Sequence, residues 1–179
     1  MVRLVVDILH LRDNDGNIVT KELAIANPDT NSIQSWIFEA PFPWSELSTS
    51  IQSTNVWYST RMHGLDWNYG EISYSHLKTL LVSYVHASSI IYAYGQEKTE
   101  YLSRILSHNV INLQTLPNCP SHFISLPILS CCYPQHQYIN YDCAVRQVHA
   151  LSKFIQHLDF VGDRTHAVYS AAKEEEEEL

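Results

Sequence analysis

The sequence predicts an α/β domain built on a mixed β-sheet. Three observations predict it: three strand-length apolar runs separated by turn signals, two helix-and-strand units after them, and an amphipathic helical pattern near the end. With 179 residues, of which 45% are hydrophobic, the chain is long enough for one domain with its own core. We expect this domain to span residues 1–160.

The first three strands form a predicted antiparallel meander. Residues 2–11 are an apolar, β-branched run that ends at the turn sequence of residues 13–17. This turn contains Asp-Gly, which between two apolar runs is a strong hairpin signal, so residues 18–26 are the predicted partner strand. After a second turn at residues 27–29, the alternating pattern of residues 32–39 predicts the third strand.

Two crossover units follow the meander. Apolar residues recur at helical spacing over residues 74–86, and residues 89–94 form a short apolar run typical of a strand covered on both faces. A second helical pattern, residues 96–106, precedes another short strand at residues 110–113. The alternation of helix and strand predicts parallel crossover connections. Between the meander and these units, residues 44–58 predict an irregular helical segment.

A cysteine-bearing loop leads directly into a predicted closing helix, residues 144–158, whose apolar side chains form one stripe. The loop carries Cys132, His136 and Cys143 within a dozen residues, which is a spacing typical of a metal site. A tetrahedral zinc site needs a fourth ligand. The spacing leaves two donors open for it: the neighbouring Cys131, or a carboxylate from a distant strand.

The charge pattern argues against strong duplex binding. The formal net charge is −8, and removing the five glutamates of residues 174–178 leaves −3, without a basic stripe. We expect residues 161–179 to be a disordered acidic tail outside the fold. Because no apolar run reaches membrane length and no basic, cleavable leader begins the chain, we expect an intracellular protein, cytoplasmic or nuclear, without a membrane partner.

Four segments carry a resemblance to a known family. They are Glu22-Leu23-Ala24-Ile25, Trp36-Ile37-Phe38-Glu39-Ala40-Pro41, His63-Gly64-Leu65, and the run of Cys132, His136 and Cys143-Ala144. With the order of strands and helices, they resemble the ribonuclease H-like fold of DnaQ-type 3′–5′ exonucleases. The resemblance is closer to the Maelstrom domain of the piRNA pathway, in which this fold has lost its acidic catalytic set and gained a Glu-Cys-His-Cys zinc site.

The resemblance implies a closed, structural zinc site. The ligand set that it implies is Glu22, Cys132, His136 and Cys143. The interval from Cys132 to His136 is one residue longer than in the family, so Cys131 stays an alternative to Cys132, and the family's third-strand histidine is absent from residues 34–36. Four protein ligands leave no open position for a catalytic water, so this zinc would tie the closing helix to the sheet and contribute to folding.

Nuclease chemistry of the two-metal kind needs several carboxylates around cations roughly 4 Å apart. The candidates for a catalytic role are Asp7, His63, Glu97 and Asp142. The first strand lacks the family's second acid, and Lys98 stands near the position expected for its second aspartate. An active exonuclease that uses Mg²⁺ or Mn²⁺ requires Asp7, Glu22 and either Glu97 or Asp142 to converge. We interpret His63 as a loop residue bonded to a backbone carbonyl.

The resemblance implies a role with single-stranded RNA in the silencing of mobile elements, with weak or no nuclease activity. The RNA-binding candidates are Arg61, Trp67, Lys98 and Arg104. Trp57 and Trp67 flank Arg61 in an irregular stretch, and we expect both rings to be exposed stacking platforms. The competing hypothesis is a catalytically silent scaffold that binds a protein partner through residues 41–70. RNA binding predicts a positive patch around the cations, whereas a scaffold predicts an exposed apolar patch.

Overall fold

The fold consists of five strands and four helices, seen in a computed structural model that describes residues 2–119 and 142–158. The strands are β1 (Arg3–Arg12), β2 (Ile18–Asn27), β3 (Ser32–Ile37), β4 (Ile90–Ala93) and β5 (Val110–Asn112). The helices are α1 (Thr49–Tyr58), α2 (Leu77–Tyr84), α3 (Gln96–Leu106) and α4 (residues 144–158). The predicted α/β class is confirmed, and the expected acidic tail at residues 161–179 lies outside the described residues.

The five strands form one mixed sheet in the order β3-β2-β1-β4-β5. β2 pairs antiparallel with both β1 and β3, so the predicted meander is confirmed. β4 pairs parallel with β1 and with β5, as the crossover connections predict. Gly16 closes the β1–β2 hairpin with φ +79°, a conformation that glycine adopts readily. The first strand of the chain is therefore the central strand of the sheet.

Side chains of β1 alternate between the two faces of the sheet, and each face has its own helical cover. One face packs on α2 and α3 through Val6 and Ile8. The other face packs on α4 through Val5 and Leu9. Asp7 lies between Val5 and Leu9 in the two-residue period of the strand, so its carboxylate is on the α4 face.

A β-bulge in β2 places a lysine in the interior. The pairing of β1 with β2 shifts by one residue after Leu9, and Lys21 is the extra residue on β2. Its side chain is fully buried, and Nζ donates hydrogen bonds to the carbonyls of Trp67 (2.9 Å) and Tyr69 (2.6 Å). Burial lowers the pKa of Lys21 to about 8. The bulge thus holds residues 67–69 against the sheet.

The helical segment predicted at residues 44–58 is more regular than expected. A short 3-10 turn, Trp44–Glu46, precedes α1, and a π-helical turn, Ser59–His63, follows it. Asn55 anchors α1 to the end of β1: its Oδ1 accepts from the amide of Arg12 (2.8 Å), and its Nδ2 donates to the Arg12 carbonyl (2.9 Å). The buried amide side chain therefore pairs with β1 as a neighbouring strand would.

Candidate functional site

Glu22 lies on the sheet face that α4 covers. Leu9 and Ile37 flank it on the neighbouring strands, and its side chain is fully buried. Its Oε2 accepts a hydrogen bond from the backbone amide of Ala144, at 3.1 Å. Amides in the first turn of a helix have no partner within the helix, and a carboxylate there also interacts favourably with the helix dipole. The sheet therefore holds the start of α4 through this carboxylate.

Two of the predicted zinc ligands, Glu22 and Cys143, are both buried near the start of α4. Cys143 is only 5% exposed and immediately precedes the residue whose amide Glu22 binds. The other predicted ligands, Cys132 and His136, and the alternative Cys131, lie outside the described residues. Within residues 2–119 and 142–158, no group of three or more His, Cys, Asp or Glu side chains is placed to hold a metal ion.

A pocket of about 170 Å³ lies beside this helix start. Its lining residues are Asp7, Leu9, Lys98, Asp142, Cys143 and Gln147. Asp7 is 1% exposed, and the Nζ of Lys98 lies 2.6 Å from its Oδ1. Burial raises the pKa of the Asp7 carboxyl, and the ion pair with Lys98 acts in the opposite direction. The backbone amide of Asp142 donates to the carbonyl of Met62 at 2.7 Å, which fixes the chain at this edge of the pocket.

Glu97, the third acidic residue among the catalytic candidates, lies outside this pocket and binds Arg12. Its two carboxylate oxygens accept hydrogen bonds from Arg12, at 2.6 Å and 2.9 Å. These bonds lower the pKa of Glu97 and raise that of Arg12. Of the predicted catalytic acids, the structure brings Asp7 and Asp142 to one pocket, whereas Glu97 lines a different one with Arg12.

His63 is buried at the end of the π-helical turn, and both of its ring nitrogens are engaged. Nε2 donates to the carbonyl of His10 at 3.1 Å, and Nδ1 accepts from the amide of Leu65 at 3.1 Å. The interpretation of His63 as a residue bonded to a backbone carbonyl is confirmed. This pattern assigns the neutral tautomer with the proton on Nε2, and it connects the turn to β1.

The expectation that Trp67 is exposed is wrong. Its ring is 1% exposed and packs in a cluster with Leu11, Val19 and Leu47. Its indole N–H donates to the carbonyl of Phe42 at 3.0 Å, and the bonds from Lys21 hold this stretch on the sheet. A ring enclosed in this way offers no face to a base, so Trp67 is a core residue and not a stacking platform.

The expected exposure of Trp57 is confirmed. It is 53% exposed, its neighbour Val56 is 51% exposed, and Arg61 in the following π-helical turn is also exposed. The remaining predicted cations have acidic neighbours: Lys98 pairs with Asp7, and Arg104 lines a pocket of about 260 Å³ that also contains Glu97 and Glu100.

The sequence reasoning missed one residue that lines this pocket and one buried histidine on β1. Gln147 lines the pocket, and its helical spacing of four from Cys143 would have placed it there. His10 lies on β1 on the side of α3, and its pKa is lowered to about 4, mainly by burial and then by the charges of Arg12 and Lys98. His10 is therefore neutral at physiological pH. His10 and Arg12 are two residues apart on β1, so their side chains lie on the same side of the strand, and this spacing could have identified His10 from the sequence.

Comparisons with protein-family models, with curated proteins and with solved structures find no significant match to this chain. In the described part of the chain, no helix combines the length and the apolar character needed to cross a membrane. The pocket of Asp7 and Lys98, the junction of Glu22 with α4, and the exposed end of α1 are thus the features from which a function is inferred.

Proposed function

We propose that this chain is a ribonuclease H-like domain of the DnaQ type, similar to the Maelstrom domain. The central β1 with antiparallel β2 on one side and parallel β4 and β5 on the other supports this architecture. The position of α4 supports it too, because this helix closes the sheet face that carries Asp7 and Glu22. Since one fold serves many functions, the function itself rests on the side chains.

The proposal includes a structural zinc ion held by Glu22, Cys132, His136 and Cys143. A buried carboxylate and a buried thiol near one helix start fit the donor types that zinc takes. The hydrogen bond from Ala144 orients the Glu22 carboxylate, as hydrogen bonds to metal ligands commonly do. With four protein ligands, the ion would stabilise the fold without taking part in chemistry.

Weak or absent nuclease activity is the second part of the proposal. Asp7 and Asp142 share a pocket, but the ammonium group of Lys98 stands beside Asp7 where two-metal hydrolysis needs cations. The alternative, an active exonuclease that uses Mg²⁺ or Mn²⁺, would need Glu22 or Glu97 at this pocket. Neither is among the described residues that line it.

Single-stranded RNA is the proposed ligand, bound at the end of α1. The observation that carries this is the exposure of Trp57 together with Arg61, four residues further along the chain. An exposed indole ring stacks on a base of any sequence, and a guanidinium group binds phosphate. Such a surface binds RNA without reading its sequence. A role inside the cell in the silencing of mobile elements is what the resemblance to the Maelstrom domain adds.

Fluorescence anisotropy with a labelled single-stranded oligouridine of about 12 nucleotides tests RNA binding. We expect Trp57→Ala and Arg61→Gln each to weaken the affinity roughly tenfold, because each removes one stacking or phosphate contact. Val82→Ala and Lys78→Gln are the matched controls, since these side chains are an exposed apolar residue and an exposed cation on α2. Equal affinity of Trp57→Ala and the wild type would contradict the proposal.

The second candidate function is binding of a protein partner, and the exposure of Val56 favours it. Val56 and Trp57 are adjacent, and Val56 borders a pocket of about 260 Å³ that Trp44 and Thr60 also line. A photo-crosslinking amino acid at position 56 distinguishes the two candidates in cells. Crosslinks to RNA support the RNA-binding proposal, whereas crosslinks to one protein, insensitive to ribonuclease treatment, support the scaffold.

A further inference from the structure

A pocket of about 260 Å³ lies beside the end of α1. Side chains from α1 and its π-helical turn line one part of it, and side chains from residues 66–68 line another. Its lining side chains include Trp44, Val56, Ser59, Thr60, Asp66 and Asn68. Pockets that hold drug-sized ligands measure about 300–1,000 Å³, so this one has room for a smaller planar group such as a single base.

The polar side chains of this pocket offer mainly hydrogen-bond acceptors. The hydroxyl of Ser59 donates its proton to the carbonyl of Leu65 (2.6 Å), and the hydroxyl of Thr60 donates to the carbonyl of Val56 (2.8 Å). Since a hydroxyl has one proton, both can only accept further hydrogen bonds. The carboxylate of Asp66 also only accepts, and it is the only charged side chain among the described residues that line the pocket. The pocket therefore favours a group with N–H donors and disfavours a phosphate.

Asp66 presents a carboxylate whose orientation is already fixed. Its Oδ1 accepts a hydrogen bond from the backbone amide of Asn68 at 2.8 Å. A carboxylate has about four acceptor sites on its two oxygens, so this bond leaves room for two parallel N–H donors. Guanine carries two adjacent donors on its Watson–Crick edge, N1–H and the N2 amino group. Adenine, cytosine and uracil each have one donor group on that edge, beside acceptors, so guanine is the base that matches the carboxylate best.

The pocket adjoins the surface proposed to bind RNA. Val56 and Thr60 line the pocket, and each directly precedes one residue of the exposed pair Trp57 and Arg61. A strand that stacks one base on Trp57 can therefore place a neighbouring base at the pocket, where the half-buried ring of Trp44 supplies an aromatic surface. An arginine side chain of a protein also has paired N–H donors, but the positive charge of Arg61 repels it and attracts the phosphate of a nucleotide.

We propose that this pocket binds guanine, so that the RNA-binding surface reads one base of the strand. The carboxylate of Asp66 accepts hydrogen bonds from N1–H and from the N2 amino group, and Trp44 contacts the ring. This inference rests on the proposed function, because the strand reaches the pocket through Trp57 and Arg61. That pair binds any base, whereas the pocket adds a preference for one base.

Fluorescence anisotropy tests this preference with labelled oligouridine strands of about 12 nucleotides that carry one central guanosine, adenosine or inosine. We expect the wild type to bind the guanosine strand about tenfold more tightly than the adenosine strand, which is within the range of a bidentate contact to a base. Inosine lacks the N2 amino group, so its strand should have an intermediate affinity. Asp66→Asn should bind the guanosine and adenosine strands equally, because its amide group replaces one acceptor by a donor. Asp15→Asn, at an exposed carboxylate of the β1–β2 hairpin, is the control and should keep the preference.

The possible failures of the two proposals are distinguishable. Equal affinities of the wild type for the three strands, all weakened by Trp57→Ala, would overturn the guanine pocket and leave RNA binding at α1 intact. Absence of binding to every strand would overturn the proposed function and this inference with it. Equal affinities together with calorimetric binding of Nα-acetylarginine amide that Asp66→Asn removes would assign the pocket to an arginine of a protein partner. The comparison of bases on the wild type decides the question even if Asp66→Asn fails to fold by circular dichroism.

Discussion

The carboxylate of Glu22 on β2 accepts a hydrogen bond from the backbone amide of Ala144, the first residue of α4. The two residues are 122 positions apart in the sequence, and the bond lies in the buried layer between sheet and helix. One side chain thus fixes both the end of a helix and its place on the sheet. In the proposed zinc site, the same carboxylate would also bind the metal.

Glu22→Ala should remove zinc and destabilise the protein. Because the substitution deletes a proposed ligand and leaves a buried amide without its acceptor, we expect a loss of about 2–3 kcal/mol in the free energy of unfolding even with chelator present. Elemental analysis and urea unfolding measure the two effects. Glu46→Ala, at an exposed glutamate, is the control. Unchanged zinc content, or magnesium or manganese in place of zinc, would contradict the zinc proposal.

Lys21 should make the protein more stable as the pH rises above 8. Burial lowers its pKa in the folded state to about 8 from 10.5, so between these values the unfolded chain holds a proton that the folded chain has released. The free energy of unfolding then rises by up to about 1.4 kcal/mol per pH unit. Below pH 8 both states are protonated, and this contribution is constant.

Urea unfolding of the wild type and Lys21→Met between pH 7 and pH 10 measures this effect. Both proteins share the titration of tyrosines and cysteines, so the difference between their unfolding free energies isolates Lys21. We expect the difference to shift in favour of the wild type with increasing pH. Parallel curves over the whole range would show that Lys21 titrates as it does in the unfolded chain.

Asn55→Ala should destabilise the junction of α1 with β1. The substitution leaves the amide and the carbonyl of Arg12 without their partners in a buried position, which costs about 2–3 kcal/mol. Ser50→Ala, at an exposed position of the same helix, should change the unfolding free energy by less than about 0.5 kcal/mol. A cost for Asn55→Ala as small as that of the control would argue against the strand-like pairing.

Gly70→Ala should be far more damaging than Gly16→Ala. A Cβ atom at Gly70 would lie 2.2 Å from the backbone nitrogen of Glu39, and backbone atoms cannot move aside without moving the segment. We expect a loss of about 3 kcal/mol or more. Gly16 has free space around it and only a strained φ of +79°, so alanine there costs about 1 kcal/mol. Thermal unfolding ranks the two variants, and equal melting temperatures would contradict the packing.

Local signals were sufficient to predict the elements. The turn around Asp15-Gly16 predicted the first hairpin, and the apolar stripe of residues 144–158 predicted α4, because both signals lie within a few residues of the structure that they specify. The bulge was not predictable in this way. A regular strand pattern has a period of two residues and does not predict an inserted residue. The burial of both Lys21 and its neighbour Glu22 therefore could not be predicted from that pattern.

The candidate site was also predictable only in part, because local sequence patterns locate elements but not the contacts between distant elements. Asp7 and Asp142 follow from a strand and a helix start that local patterns locate. The partner of Glu97 does not, because Arg12 lies 85 residues away and reaches it only once α3 has packed on β1. The prediction that Trp67 is exposed was wrong because the burial of this residue depends on Lys21 in the β-bulge. Lys21 holds an otherwise irregular turn against the sheet.

The packing of β1 against α4 joins the first strand of the described chain to its last helix. During synthesis, the face of β1 that carries Val5 and Leu9 therefore lacks its helical cover until the ribosome has released residues 144–158, although the opposite face already has α2 and α3 to pack on. Apolar strand surface on a nascent chain is where aggregation begins and where chaperones act. Docking of α4 is therefore the step that removes this apolar surface from water.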